Sequence, residues 1–381
     1  MPPTLLLSAG EASGDMYAAR LATEIKKRAK VEIFGMGGEQ MRAAGVDVVT
    51  DYREVSVLGI TEIISHLPSL VRAMRKLVSA ARQRKPVLAI LTDFPGFHLR
   101  LARKLKPLGV KNVYYVCPQF WAWRPWRVRV VRRRFAKALC IFPFEEEFYG
   151  KAGVPTKFIG HPLVGMVNAT LSRTQFAEKH GLDPAGAIVV LLPGSRMGEI
   201  ARHLPTMLAA CAELRKTNLR ETTQQPAFVI AVAPGIDLSH INRLVTASGI
   251  CAVVVQNETY DALAAADVAL VCSGTATIEA ALLDVPIAVV YRVTALTAIL
   301  AKPLVRTKFF SMVNLIAGRQ VVTELIQEKF TAEAAAQELR RLLDSEDARA
   351  SLRTGLADVR EKLGPPGAVE RAADAIVQLL R

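Results

Sequence analysis

Four short stretches of this 381-residue chain carry side chains with a chemical use at places where such side chains act. The first is Thr92-Asp93-Phe94-Pro95-Gly96-Phe97-His98. It follows an apolar run at 87–91 that reads as a strand, so Asp93 stands at a strand's carboxyl end, placed to take a proton from a substrate hydroxyl as a general base. Phe94 and Phe97 would exclude water from it and raise its pKa toward the working range. His98 is the alternative base, and a helix cap followed by a Pro-Gly turn is the alternative to any chemistry.

The second stretch, Ser273-Gly274-Thr275-Ala276-Thr277-Ile278-Glu279, joins the apolar run 268–272 to a run of helix formers. A Ser or Thr cap would leave first-turn N–H groups facing outward, where the helix dipole favours an anion. Glu279, one turn in, could accept from two vicinal sugar hydroxyls. Phosphate beside ribose is a nucleotide, so a nucleotide-sugar site is the working reading; an ordinary strand–helix junction is the alternative. In the third stretch, Pro193-Gly194-Ser195-Arg196-Met197-Gly198-Glu199, the Arg196 guanidinium suits a diphosphate, unless it simply pairs with Glu199. The fourth, Gly10-Glu11-Ala12-Ser13-Gly14-Asp15, is a turn after the first strand. It lacks the third glycine of a dinucleotide fingerprint, and its two acids repel pyrophosphate but suit a hydroxyl-rich ligand at Glu11, Ser13 and Gly14.

The elements that must hold these turns are strands alternating with helices, which predicts an α/β fold with mainly parallel sheets covered on both faces. Strands are expected at 4–8, 31–35, 87–91, 113–116 and 138–142, with a glycine turn at 35–38 and helices at 16–28, 39–44 and 99–106. After Gly160-His161-Pro162 the pattern pauses, a linking helix is expected over 166–180, and alternation restarts with strands at 187–192, 228–232, 252–255, 268–272 and 286–291. From 331 onward the chain reads as helical, broken at Gly364-Pro365-Pro366-Gly367. These spans predict two doubly wound, Rossmann-like domains facing a cleft, 1–165 and 166–345. The C-terminal helices of 346–381 are expected to pack back on the first domain or on a partner subunit.

Residues 1–160 hold 27 Lys and Arg against 13 Asp and Glu, which accounts for the whole net charge of +14. A basic half suggests nucleic acid, an anionic membrane surface or a phosphorylated substrate. The five cysteines show no paired or metal-ligand spacing and read as reduced core residues of a cytosolic protein. The first residues read as a strand, without the basic start of a signal peptide. The longest apolar run, 285–305, carries Arg292 and Lys302 and two prolines, so no spanning segment is expected.

Two basic segments stand out. Residues 124–137 hold seven Lys and Arg close to Trp121, Trp123 and Trp126. They could bind nucleic acid, but no nucleic-acid module surrounds them, and an ordinary helix with an added electrostatic duty is preferred. Leu67, Leu70, Val71, Met74, Leu77, Val78 and Ala81 fall at helical spacing, with Arg72, Arg75, Lys76 and Arg82 on the other sides. Such a helix can lie on a membrane, or its stripe can pack into the core.

Taken in order, Ser8-Ala9-Gly10-Glu11-Ala12-Ser13-Gly14-Asp15, Gly35-Met36-Gly37-Gly38, Val116-Cys117-Pro118-Gln119-Phe120-Trp121-Ala122-Trp123-Arg124, Phe158-Ile159-Gly160-His161-Pro162, Leu192-Pro193-Gly194-Ser195-Arg196, the Ser273–Glu279 stretch and Asn314-Leu315-Ile316-Ala317-Gly318-Arg319 with Glu324 resemble the lipid-A-disaccharide synthase family over nearly the whole chain. The resemblance implies an inverting GT-B glycosyltransferase at the inner face of a Gram-negative cytoplasmic membrane. It would join UDP-2,3-diacylglucosamine to 2,3-diacylglucosamine 1-phosphate (lipid X), release UDP, and need no metal or organic cofactor. Asp93 matches the family's carboxylate at this strand end. The family often has a second Asp and an Asn where this chain has Gly96 and His98, which leaves His98 as a possible helper near the acceptor. Arg196, Ser273, Gly274, Thr275 and Glu279 would hold UDP, with Asn314 and Glu324 as family positions near the donor. The resemblance also moves Leu67, Leu70, Val71, Met74, Leu77 and Val78 toward membrane contact, and implies a monomer or a C-terminally swapped homodimer. The rival readings are another GT-B enzyme on a UDP-sugar, such as an epimerase, and a nucleic-acid-binding protein, which is set aside.

Overall fold

The computed structural model describes residues 2–55, 67–122, 124–216, 225–294 and 307–380. Trp123 and the second half of the 285–305 run lie outside the described residues. The chain forms two compact units, Met1–Val164 with Leu363–Arg381, and Gly165–Lys362.

The first unit contains β1 (Thr4–Ala9), α1 (Ala12–Arg28), β2 (Glu32–Gly37), α2 (Glu39–Ala43), β3 (Asp47–Asp51), α3 (Leu67–Arg84), β4 (Leu88–Thr92), α4 (Pro95–Leu105), β5 (Lys111–Tyr115), α5 (Val128–Arg134), β6 (Lys137–Cys140), α6 (Pro143–Lys151) and β7 (Thr156–Phe158). Its strands are all parallel in the order β3-β2-β1-β4-β5-β6-β7. Central strands of such a sheet are covered on both faces, which is why Leu5, Leu6, Leu7, Leu88, Ala89, Ile90 and Leu91 form continuous apolar runs with no exposed surface. The glycine turn expected at 35–38 is not one, since Gly35 and Gly37 lie inside β2. A Cβ on Gly35 would meet the Leu7 carbonyl oxygen of β1 at 1.7 Å, so close approach rather than turning requires this glycine. α2 is started from a distance: the buried Asp15 carboxylate in α1 accepts from the amides of Gly38 (2.6 Å), Gln40 (3.1 Å) and Met41 (3.3 Å).

The second unit contains α7 (Arg173–Lys179), β8 (Ile188–Leu192), α8 (Met197–Arg215), β9 (Ala227–Val232), α9 (Leu238–Ser248), β10 (Val253–Gln256), α10 (Thr259–Ala265), β11 (Val268–Cys272), α11 (Ala276–Leu282), β12 (Ile287–Tyr291), α12 (Met312–Ala317), β13 (Thr323–Ile326), α13 (Ala332–Leu343) and α14 (Glu346–Lys362). Its parallel sheet runs β10-β9-β8-β11-β12-β13. The linking helix expected over 166–180 shrinks to α7. Ser172 starts it with a capping box, its hydroxyl accepting from the Gln175 amide at 3.3 Å while the Gln175 side chain accepts from Ser172 N–H at 2.9 Å. The chain before α7 is tied instead to Asp261, whose carboxylate accepts from the Leu171 amide (2.9 Å) and the Thr170 hydroxyl (3.0 Å).

The last helices divide at Leu363. α14 stays with the second unit, where Arg360 donates to the Ala281 carbonyl (3.0 Å) and the Asp284 carboxylate (2.6 Å). α15 (Ala368–Val377) packs on α1 of the first unit. Arg371 fixes the returning chain by donating to the Ile159 carbonyl at 2.8 Å, and His161 N–H donates to the Leu363 carbonyl at 2.8 Å.

The basic amphipathic helix is real, but its stripe is divided. Met74 and Leu77 of α3 are 8% and 0% exposed and belong to the core beneath β1 and β4, with Leu70 and Val78 packed at its edge. Met74 and Leu77 are therefore core residues and not membrane contacts, while Leu70 and Val78 are only half-buried. Leu67 and Val71, 56% and 41% exposed, are the part of the stripe left outside.

Candidate active site

Both sheets reverse their winding between the first strand and the fourth, β1/β4 in one unit and β8/β11 in the other. At such a switch point the two following turns leave in opposite directions and open a crevice at the carboxyl ends of the strands. All four turns singled out from their chemistry follow one of these four strands.

In the first unit, the turn after β4 holds Asp93 and Phe94 with φ of 49° and 45°, a left-handed pair at two residues that both carry side chains. Such backbone costs of order 1–3 kcal/mol per residue and persists where its surroundings dictate it. Here they do. The Asp93 carbonyl accepts from His98 Nδ1 at 2.8 Å and from the Tyr114 hydroxyl at 3.0 Å. The Asp93 N–H donates to the Tyr115 carbonyl at 3.3 Å. Phe94 is fixed by stacking on Phe97, ring centroids 5.6 Å apart, and by the turn after β1: a Cβ on Gly10 would meet its ring at 2.3 Å. Asp93 is half-buried. Desolvation, and then the neighbouring charge of Glu11, push its pKa up to about 7. Glu11, the residue before α1, is half-buried and Ser13 exposed, whereas Gly14 is buried against Ala9 and Thr92.

His98 is fully buried. A carbonyl only accepts, so Nδ1 carries the ring proton, and Nε2 accepts from the Ser8 hydroxyl at 2.8 Å. Burial lowers its pKa to about 4, so the ring is neutral. With both nitrogens engaged, His98 is not a second base and does not face an acceptor. Ser8, Tyr114 and Glu145 are the residues that sequence reading missed. Glu145 is wholly buried, with its pKa raised to about 8 by desolvation, and accepts from the Trp121 indole at 3.1 Å and the Ile141 and Phe142 amides at 3.3 Å. It fixes Trp121, in the loop that follows β5, which meets Phe144 edge-on with centroids 4.7 Å apart. An acid in a Glu-Glu-Glu run gave no signal of this.

In the second unit, Arg196 is the residue before α8, its side chain about half exposed and 3.7 Å from the Glu199 carboxylate. The pairing alternative is thus present, but at a distance worth little in water. Glu199 also accepts from the Ser195 amide at 3.1 Å. Gly274 and Thr275 are exposed, and among the described residues no hydrogen-bond acceptor takes their amides. Ser273 and Thr275 do not cap α11: the Ser273 hydroxyl donates to the Phe310 carbonyl at 2.9 Å. Glu279 is half-buried, its pKa raised by desolvation and held down partly by the Tyr260 hydroxyl at 3.1 Å.

Asn314 is buried and spent. Its amide donates to the Val322 carbonyl (2.9 Å) and to Glu324 (2.7 Å), and its oxygen accepts from the Val321 and Val322 amides. Glu324 also accepts from the Phe310 and Ser311 amides, each at 2.9 Å. Asn314, buried with both ends of its amide engaged, is therefore a structural residue, whereas Glu324 is half-buried and spends most of its acceptor capacity on protein. Together they set the 310–311 backbone that in turn holds Ser273. Among the described residues there is no group of three or more His, Cys, Asp or Glu that could hold a metal ion.

Two parallel Rossmann-type units, each with candidate turns at its switch point, define an α/β fold of the GT-B type. The fold is shared by UDP-GlcNAc 2-epimerase from Neisseria meningitidis bound to UDP-GlcNAc (TM-score 0.65, 11% identity, 98% of this chain and 100% of that one). It is shared too by CalG4, the calicheamicin glycosyltransferase (TM-score 0.59, 16% identity, 100% and 98%). At these identities the likeness concerns the fold alone. Sequence is more specific. The chain belongs to the lipid-A-disaccharide synthetase family, whose model matches residues 5–376. Lipid-A-disaccharide synthase of Solibacter usitatus is 46% identical (99% of this chain, 98% of the relative), and that of Myxococcus xanthus 43% (100% and 98%). The chain is a glycosyltransferase.

Proposed function

We propose that this enzyme joins UDP-2,3-diacylglucosamine to 2,3-diacylglucosamine 1-phosphate, giving the β-1,6-linked disaccharide 1-phosphate and UDP in lipid A biosynthesis. The observation that carries the reading is the family match along the whole chain. The geometry of the turn after β4 supports a chemical role within it. Asp93 accepts the proton of the acceptor's 6-hydroxyl as that oxygen bonds to the anomeric carbon and the bond to UDP breaks, with inversion. A carboxylate whose pKa lies near 7 suits that transfer better than an ordinary one. The departing diphosphate gains charge, which the exposed amides of Gly274 and Thr275 and the Arg196 guanidinium are suited to take up without a metal. Glu279 is assigned the ribose hydroxyls, and Glu11 and Ser13 the acceptor sugar.

Both substrates carry acyl chains, so the enzyme works as a peripheral protein on the inner leaflet. No described helix is long and apolar enough to cross a membrane. The exposed Leu67 and Val71 and the basic first 160 residues support contact with an anionic surface. The purified chain, given both substrates in detergent micelles, should form disaccharide and UDP in equal amounts. Turnover of UDP-GlcNAc to its 2-epimer, with no disaccharide, would transfer the chain to the epimerase reading.

A further inference from the structure

The carbonyl of the base residue is gripped by two side chains, and one of them, His98, was nominated from sequence as a base in its own right. We infer that His98 is instead the positioning residue of the transfer reaction: the Nδ1–H it aims at the Asp93 carbonyl holds the left-handed Asp93–Phe94 turn and so points the carboxylate. This rests on Asp93 being the general base.

Three observations carry it. The turn needs holding, because Asp93 and Phe94 both sit at positive φ without being glycine. The hold comes from His98 Nδ1 at 2.8 Å and the Tyr114 hydroxyl at 3.0 Å, both on one carbonyl oxygen. And the donor is itself locked: the Asp93 carbonyl can only accept, which puts the ring proton on Nδ1, and Nε2 is then occupied by the Ser8 hydroxyl donating to it at 2.8 Å. Phe94 and Phe97 flank the imidazole edge-on, each with centroids 5.8 Å away, and keep water from competing for the bond. A buried neutral ring in this position gains nothing from its basicity and everything from where its N–H points.

The two nitrogens can be tested apart, because an Asn side chain places its amide nitrogen where Nδ1 stands and a Gln places its own near Nε2. Steady-state kinetics of full-length His98→Asn and His98→Gln, in micelles with both lipid substrates, give kcat and each KM as a function of pH. His98→Asn should keep kcat within about threefold of the parent, with the same rising limb. His98→Gln should lose about thirtyfold or more in kcat with both KM values within about twofold. Its rising limb should also move to lower pH, because a carboxylate released from the turn is better solvated. If His98→Gln does not fold, Tyr114→Phe removes the other donor to the same carbonyl. It should give the same kcat loss and limb shift, and unaltered kinetics there would overturn the proposal. Equal activity in the Asn and Gln variants, or a loss with no change of pH limb, would also overturn it. Asp93→Asn is run alongside: near-parent turnover in that variant would sink the base assignment itself, separately from whatever His98 does.

Discussion

At the residue scale, the chemistry turns on a carboxyl group kept in a state that water would not choose. As the proposed base, Asp93 has to be ionised, and its pKa of about 7 places that ionisation in the physiological range. The rate should therefore fall about tenfold per pH unit below 7 and level off above it, as a kcat–pH profile would show. The same shift bears on stability. The folded pKa lies above the unfolded value of 3.8, so folding costs nothing at this group below pH 4. The cost grows between pH 4 and 7 and stays constant above. Asp93→Asn should lose at least about a hundredfold in kcat yet gain on the order of 2 kcal/mol of unfolding free energy at pH 8, discounted because the residue is only half-buried. Urea melts at pH 8 and pH 4 check the sign, since the gain should vanish at the lower pH.

At the element scale, the turns after β1 and β4 form one unit, because Gly10 leaves room for the Phe94 ring. Gly10→Ala would drive a Cβ into that ring, and the turn bearing Asp93 would have to shift. We expect a fall in kcat of about tenfold or more with a stability loss of about 1–3 kcal/mol, measured by the same assay and by urea unfolding. This is also the scale at which the sequence was most and least readable. The strands at 268–272 and 187–192 were legible because a strand buried on both faces has to be continuously apolar. The strands β3, β7 and β13 were not, since Asp47, Lys157 and Glu324 sit in short, partly exposed segments toward the sheet edges. The turns that carry Asp93 and Arg196 could be located because they come at the ends of apolar runs. His98, Asn314 and Glu324 were given ligand duties because a polar residue near a site looks the same in sequence whether it faces a substrate or its own backbone. Only the partners distinguish them.

At the scale of the whole molecule, the charge excess of the first 160 residues meets a surface helix whose apolar stripe is split between core and solvent. The two halves should respond differently. Leu67→Ser with Val71→Ser should weaken sedimentation with anionic vesicles severalfold while leaving the melting temperature within a degree or two. Leu77→Ala should cost about 2–5 kcal/mol of stability and change vesicle binding little in the fraction that stays folded. Vesicle sedimentation beside thermal melting reads both, and a Leu67/Val71 variant that binds as well as the parent would remove α3 from the membrane reading.

The return of the chain at Leu363 to lay α15 on α1 has a consequence for biosynthesis. The second unit is continuous in sequence, an insert between two pieces of the first. During translation the insert therefore has all its strands before the domain that began first has its closing helix. Until residues beyond 363 emerge from the ribosome, α1 keeps an apolar face uncovered, a nascent surface on which a chaperone or the membrane itself could act before the enzyme is complete.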